Sequence, residues 1–156
     1  MIHVENIPEE LKYLAQWVVW RSETRNDKAT KIPYQLDGKP ASVTDPEHWA
    51  TFAEIYWAEP VGFSGVGFVF TKDDPYVGID LDNCRDPGTG EITDWGLDII
   101  GSFQSYTEVS PSMCGVKIWA KGELPINESG KRKKWKSGAV EMYQHSRFFT
   151  VTGMVV

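Results

Sequence analysis

The chain has 156 residues, 41% hydrophobic and 24% charged, the size and balance of one compact domain. Seven Trp, six Tyr and seven Phe exclude disorder; no run approaches the roughly 18 apolar residues that cross a bilayer, and the start has neither the basic end nor the apolar stretch of a signal peptide. With 16 Lys and Arg against 22 Asp and Glu, the net charge of −6 argues against a general nucleic-acid binder, and two cysteines are too few for a disulfide framework, so free thiols and a cytoplasmic setting are expected.

In chain order, residues 8–16 read as a short helix with Leu11, Leu14 and Ala15 on one face, running into a buried strand at 17–20. Residues 22–30 are polar and read as a mobile loop. Residues 31–35 suit an edge strand because Pro33 has no N–H to donate, and Asp37-Gly38 marks a turn. Thr44 or Asp45 caps a helix that has Pro46 in its first turn and Trp49, Phe52, Ala53 and Tyr56 at helical spacing. Apolar runs at 65–70 and 76–82 flank Thr-Lys-Asp-Asp-Pro and predict a strand, tight turn, strand unit. A Gly/Pro loop at 86–90 precedes a helix over 93–103, and four further strands are expected at 105–109, 115–121, 138–143 and 147–152. Short strands adjacent in sequence make the class α+β, with a mixed, largely antiparallel β-sheet core and flanking helices. The last apolar strand ends beside Val156, from which the chain is expected to be part of something longer.

Charge is unevenly spread. Residues 73–98 carry Asp73, Asp74, Asp80, Asp82, Asp86, Glu91, Asp94 and Asp98 against Arg85, a net of −7; residues 117–136 carry seven Lys and Arg against Glu123 and Glu128, a net of +5. On a strand, Ile79 and Leu81 alternate with Asp80 and Asp82, so both carboxylates share a face. Either they face water, or a hard divalent cation such as Mg²⁺ or Mn²⁺ offsets their repulsion. Removing either aspartate is expected to leave the fold intact, since it removes a repulsion. Glu141 and Tyr143 share the face opposite Val140 and Met142, which makes Glu141 a solvent-facing acid or a third ligand. Residues 105–119 form a strand, a Ser/Pro loop and a returning strand that present Ser110 or Ser112 and Lys117 to a polyphosphate, or else an ordinary hairpin with a surface lysine. Arg147, on a face with Phe149 and Val151, is a phosphate clamp or a strand-edge charge. Lys131, Arg132, Lys133, Lys134 and Lys136 surround Trp135, a composition for backbone phosphates with a base stacked on the indole, or for a solvated loop. His3, His48 and His145 are scattered, Cys84 and Cys114 lack zinc spacing, and Gly62, Gly65 and Gly67 make neither a P-loop nor a dinucleotide fingerprint.

The segments SGVGFVF, VGIDLDNC, SYTEVSPS, GVKIWAKG, AVEMY and RFFTVTG, in that order and preceded by AQWVVWR, KIPY, DGKPAS and TDPEHWATF, span nearly the whole chain. Together they resemble the catalytic domain of the archaeo-eukaryotic primase superfamily, more narrowly the bifunctional primase-polymerase domains at the N-terminus of phage and plasmid replication proteins. The resemblance implies an RRM-like primase-polymerase fold, with residues 1–156 as one catalytic domain of a longer replication protein in the host cytoplasm. It implies template-directed nucleotidyl transfer, with Asp80 and Asp82 as the first metal motif, Glu141 as the third, and two Mg²⁺ or Mn²⁺ ions between them. Where the second motif has Ser-Gly and then His, this chain has Ser112-Met113 and Lys117. Ser112, Lys117, Arg147 and Lys31 would then meet the triphosphate, and the basic run would hold template or primer. The implied partners are nucleoside triphosphates, single-stranded DNA template and primer, and a C-terminal helicase or helical primase segment, with no membrane. The rival readings are a metal-dependent nuclease or glycosyltransferase, and a nucleic-acid-binding module with a decayed site.

Overall fold

The computed structural model describes residues 2–58, 61–125 and 128–156. Its elements run α1 (Glu9–Lys12), β1 (Trp17–Arg25), β2 (Lys28–Tyr34), α2 (Phe52–Ala58), β3 (Gly65–Phe70), β4 (Tyr76–Asp82), α3 (Asp94–Phe103), β5 (Thr107–Val109), β6 (Val116–Lys121), β7 (Gly130–Trp135), β8 (Gly138–Tyr143) and β9 (Arg147–Val151). The strands form two sheets, ordered β2-β1-β3-β9 and β5-β6-β4-β8-β7, and the strand pairings within both are antiparallel. This is the α+β class expected. No helix among the described residues is long and apolar enough to cross a membrane.

Several local expectations are corrected. The polar stretch 22–30 is a hairpin rather than a loop: β1 and β2 extend into it and meet at Asn26 and Asp27, both left-handed (φ 48° and 60°), the geometry that matches strand twist in a two-residue turn. It carries no apolar signal because its tip is exposed. Pro33 does lie in an edge strand, opposite Trp20. The helix expected from 44 onward is broken. Asp45 caps a 3₁₀ turn at Pro46–His48, Ala50 straightens to bridge Trp17, and α2 begins only after Thr51 and Glu54 exchange hydrogen bonds in a capping box. Helix α1 covers four residues instead of the nine of 8–16.

The runs 65–70 and 76–82 are strands, but they do not pair with each other. Each is central in its own sheet: β3 lies between β1 and β9, β4 between β6 and β8. The link between them is tied by Asp74, whose carboxylate accepts from the Thr71 and Tyr76 amides (2.8 Å each) and from Gln16 Nε2 (2.8 Å). The basic run, expected as a loop, is strand β7 at the edge of the second sheet.

The alternation of β4 sends Val77, Ile79 and Leu81 to one side, where with Val116 and Ile118 they form a core flanked by Trp95, Ile99, Ile100 and Phe103 of α3. Thr93 caps that helix. On the opposite side of the second sheet, Trp119 and Tyr143 pack edge-on against Phe149 of the first. Gly78 lies between them in the register, and a Cβ there would come within 2.6 Å of ring carbons of both Phe70 and Phe149. Only glycine lets the sheets approach this closely, two residues before Asp80. Beyond β9 the chain continues against β5: the Val109 amide donates to Met154 O (2.8 Å) and the Val156 amide to Thr107 O (3.1 Å). The last residues thus stitch the edges of the two sheets together. Cys84 and Cys114 are both free.

Substituting Gly78→Ala should therefore cost about 1 to 3 kcal/mol, the usual penalty of overpacking a tight core. The urea midpoint should fall accordingly, whereas an unchanged midpoint would mean that the sheets separate at no cost.

Candidate active site

Register builds the site. Glu108 of β5 faces Lys117 of β6, Lys117 faces Asp80 of β4, Asp80 faces Glu141 of β8, and Glu141 faces Arg132 of β7. One charged residue from each strand thus forms a single row across the whole sheet. Directly opposed residues have Cβ atoms about 4.5 to 5.5 Å apart, and like charges in that position repel. The row sets two carboxylates, Asp80 and Glu141, face to face at its centre. Asp82, two residues on, shares their face.

Cations on either side offset the repulsion. Lys117 Nζ lies 2.5 Å from Asp80 Oδ2 and 4.3 Å above the Phe149 ring, and the residue is only 4% exposed. Arg132 Nε lies 2.5 Å from Glu141 Oε1, and its Nη2 lies 3.7 Å from Asp82 Oδ2. The other Glu141 oxygen accepts from the Tyr143 hydroxyl, which in turn accepts from Arg147 Nη2 at 3.0 Å. Burial, then the charges of Asp80 and Glu141, push the Asp82 carboxyl above its ordinary pKa, against the pull of Lys117 and Arg132. Lys31 belongs to the same field: desolvation first, then Lys117, lower its pKa, while Asp80 and Asp82 oppose the shift.

Between the sheets these groups open onto a cleft of about 250 Å³, lined by Lys31, Asp80, Lys117, Glu141, Tyr143, Arg147 and residues 148–150. Five of the residues singled out in the sequence thus line the cleft, Asp80, Glu141, Lys117, Lys31 and Arg147, and Asp82 stands beside Asp80 and Glu141 without being part of that lining. Ser112 is not among the residues that line the cleft. It is exposed in the turn at 110–113, with its hydroxyl 2.9 Å from that of Ser110. Met113 closes that turn in a left-handed conformation (φ 64°) that glycine adopts more readily.

Strand alternation also divides the basic run. Arg132 and Lys134 share the carboxylate side, opposite Glu141 and Ala139. Lys131, Lys133 and Trp135 take the other side, with Lys133 Nζ 5.3 Å from the Trp135 ring, and Lys136 sits in the turn to β8 at φ 51°. Among the described residues no group of three or more His, Cys, Asp or Glu is disposed to hold a metal ion. Asp80, Asp82 and Glu141 share a face and supply only oxygen donors, but each is drawn to a cationic nitrogen 2.5 to 3.7 Å away.

Two residues that shape the site carry little signal in the sequence. Tyr143 orients Glu141, and its alternation with Glu141 is the available clue. Glu108 is wholly buried and accepts from Tyr106 Oη (2.7 Å) and from the amides of Thr152 and Gly153 (2.8 Å each). An acid between the β-branched residues Thr107 and Val109 is its only mark.

Burial, the dominant influence, pushes Glu108 above the ordinary 4.5, while its hydrogen bonds and Lys117 pull the other way. The folded state therefore binds this proton more tightly than the unfolded chain does. Its contribution to stability is fully present below pH 4.5 and is lost as pH rises through the raised value. The stability of the native protein relative to Glu108→Gln should accordingly fall as pH rises above 4.5. Thermal melts of both proteins across that range check this, and a pH-independent difference would contradict it.

No model of a known protein family matches the chain. It is 40% identical over 147 residues to the DNA primase-polymerase of Nitratiruptor phage NrS-1; the match takes in 93% of this chain and 20% of that relative. The chain thus spans about one fifth of a protein named for DNA synthesis.

Proposed function

We propose that the chain is a primase-polymerase domain of the archaeo-eukaryotic primase type, acting in phage or plasmid replication within the host cytoplasm. It would join nucleotides on a DNA template: a terminal hydroxyl attacks the α-phosphate of a nucleoside triphosphate and pyrophosphate leaves. The observation that carries this reading is the cross-strand partnership of Asp80 and Glu141, with Asp82 on the same face and Lys31, Lys117 and Arg147 around one cleft. The likeness to the NrS-1 primase-polymerase supports it.

The donor chemistry suits hard divalent ions, since three carboxylates offer oxygen ligands only. Asp80, Asp82 and Glu141 would hold two Mg²⁺ or Mn²⁺ ions. Bound there, such ions lower the pKa of the attacking hydroxyl and neutralise charge on the departing pyrophosphate. Lys117, fixed between Asp80 and Phe149, would supply a permanent positive charge at the floor of the cleft. Arg147, stacked 4.5 Å over Tyr143, and Lys31, on the two edge strands of the first sheet, would grip the triphosphate from two sides. Lys134 would lie along the strand being copied, and Lys131, Lys133 and Trp135 on the far side of β7 would hold template beyond the site. A helicase or helical primase segment elsewhere in a longer protein would supply the single strand.

The expectation that losing either aspartate spares the fold needs revision at Asp80. Asp80 neutralises a buried ammonium, so removing it strands Lys117, and that penalty runs to about 3 to 5 kcal/mol for a buried pair. Asp82, with its side chain 44% exposed, is the cleaner probe. In primer extension with Mn²⁺ or Mg²⁺, Asp82→Asn should lower incorporation by roughly a thousandfold, on the scale of losing one preorganised charge in an active site, while its melting temperature stays close to that of the native protein. Native incorporation by this variant would overturn the reading, and cleavage of labelled DNA without nucleotides would replace it with a nuclease. For the strand path, replacing Lys131 and Lys133 with Ala should weaken single-stranded DNA binding and shrink the slope of log K against log salt by about 0.7 for each phosphate no longer neutralised. An unchanged slope would remove that side of β7 from the interface.

A further inference from the structure

Arg132 stands apart in the charged row. Its side chain is 62% exposed, on an edge strand, while those of Lys117, Asp80 and Glu141 are 5%, 17% and 17% exposed. It is also the cation that reaches two carboxylates at once, Glu141 through Nε and Asp82 through Nη2. Lys117 compensates Asp80, which leaves the charge of Asp82 and Glu141 chiefly to this one guanidinium.

We propose that Arg132 is an internal counter-ion occupying the cation position between Asp82 and Glu141, and that a divalent ion must displace it. The inference rests on the reading of Asp80, Asp82 and Glu141 as metal ligands. The guanidinium stands between the two carboxylates, 2.5 and 3.7 Å from an oxygen of each, so a divalent ion drawn to both meets a positive charge already in that place. Displacement costs little, because a solvent-exposed ion pair is worth at most about a fivefold change in an equilibrium. Lys117 cannot yield in the same way: it is nearly fully buried, paired with Asp80 and covered by the Phe149 ring. The exchange accounts for a row of carboxylates that shares a face without forming a ready-made metal cluster among the described residues. It also gives the arriving ion a second effect. The released guanidinium, planar and always charged, is set free beside the cleft, where it can pair with phosphate oxygens. Arg132 would thereby couple metal occupancy to phosphate binding, a positioning role distinct from a constant grip on DNA.

The test is Mn²⁺ binding to the nucleotide-free protein, followed by loss of the free-ion paramagnetic signal, for the native chain, Arg132→Met and Lys134→Met. Lys134 lies two residues away on the same side of β7, so its variant removes equal charge without touching either carboxylate pair. Arg132→Met should bind Mn²⁺ about fivefold more tightly than the native chain, the gain expected from removing an exposed competitor, with Lys134→Met little changed. Equal or weaker binding by Arg132→Met overturns the displacement while the metal reading stands, and an equal gain in Lys134→Met reduces the effect to net charge and overturns it too. If neither the native chain nor Arg132→Met binds Mn²⁺ at millimolar concentration, the metal reading fails and this inference fails with it. Thermal melts of the variants without metal verify that each is folded.

Discussion

Asp80 and Glu141 face each other across adjacent strands, and the rest of the second sheet is arranged around the cost of that pairing. Two carboxylates in direct register repel, and backbone pairing prevents them from drifting apart. The neighbouring strands each supply the opposite charge at the matching position, Lys117 from β6 and Arg132 from β7. Strand β5 then places Glu108 beyond Lys117 in the row, with its carboxyl oxygens taken up by Tyr106 and the amides of Thr152 and Gly153. The alternation of sign is nearly complete, and it fails only at the centre, where a further cation would complete it.

The two flanking cations differ in what they permit. Lys117 sits beneath an aromatic ring in a nearly dry position, where an unpaired charge is costly, so it behaves as a fixed part of the fold. Arg132 sits at an edge strand in water, where an ion pair holds weakly. One side of the carboxylate pair is therefore rigid and the other is yielding, an asymmetry that follows directly from strand order.

The cleft owes its location to aromatic packing. Phe70 and Phe149 press on Gly78 and close the space between the sheets at one level of the register, and the charged row begins two residues further along β4. Glu108 contributes at the far edge by accepting hydrogen bonds from the amides of Thr152 and Gly153, which binds the segment after β9 to the second sheet. Arg147 and residues 148–150, at the beginning of that same strand, are thereby held over Lys117 and Glu141.

Much of this is legible in the amino-acid order. Period-two alternation puts Asp80 and Asp82 on one face and pairs Glu141 with Tyr143, and the Gly/Pro loop at 86–90 marks where α3 can begin, because these features depend on neighbours a few residues apart. The class of fold follows from the same local signals. What local signals do not contain is which strand lies beside which. The runs around residues 70 and 78 look like a hairpin yet belong to different sheets; the polar 22–30 stretch and the basic run look like loops because an exposed strand needs no apolar face; and the buried role of Glu108 is invisible because nothing near it in the chain pairs with it. By itself the sequence determined the class of fold, most of the strands and the face that Asp80 shares with Asp82 and Glu141 with Tyr143. Only tertiary pairing, through antiparallel register among strands dozens of residues apart, decided that five charges meet in one row and that the two acids at its centre stand between cations.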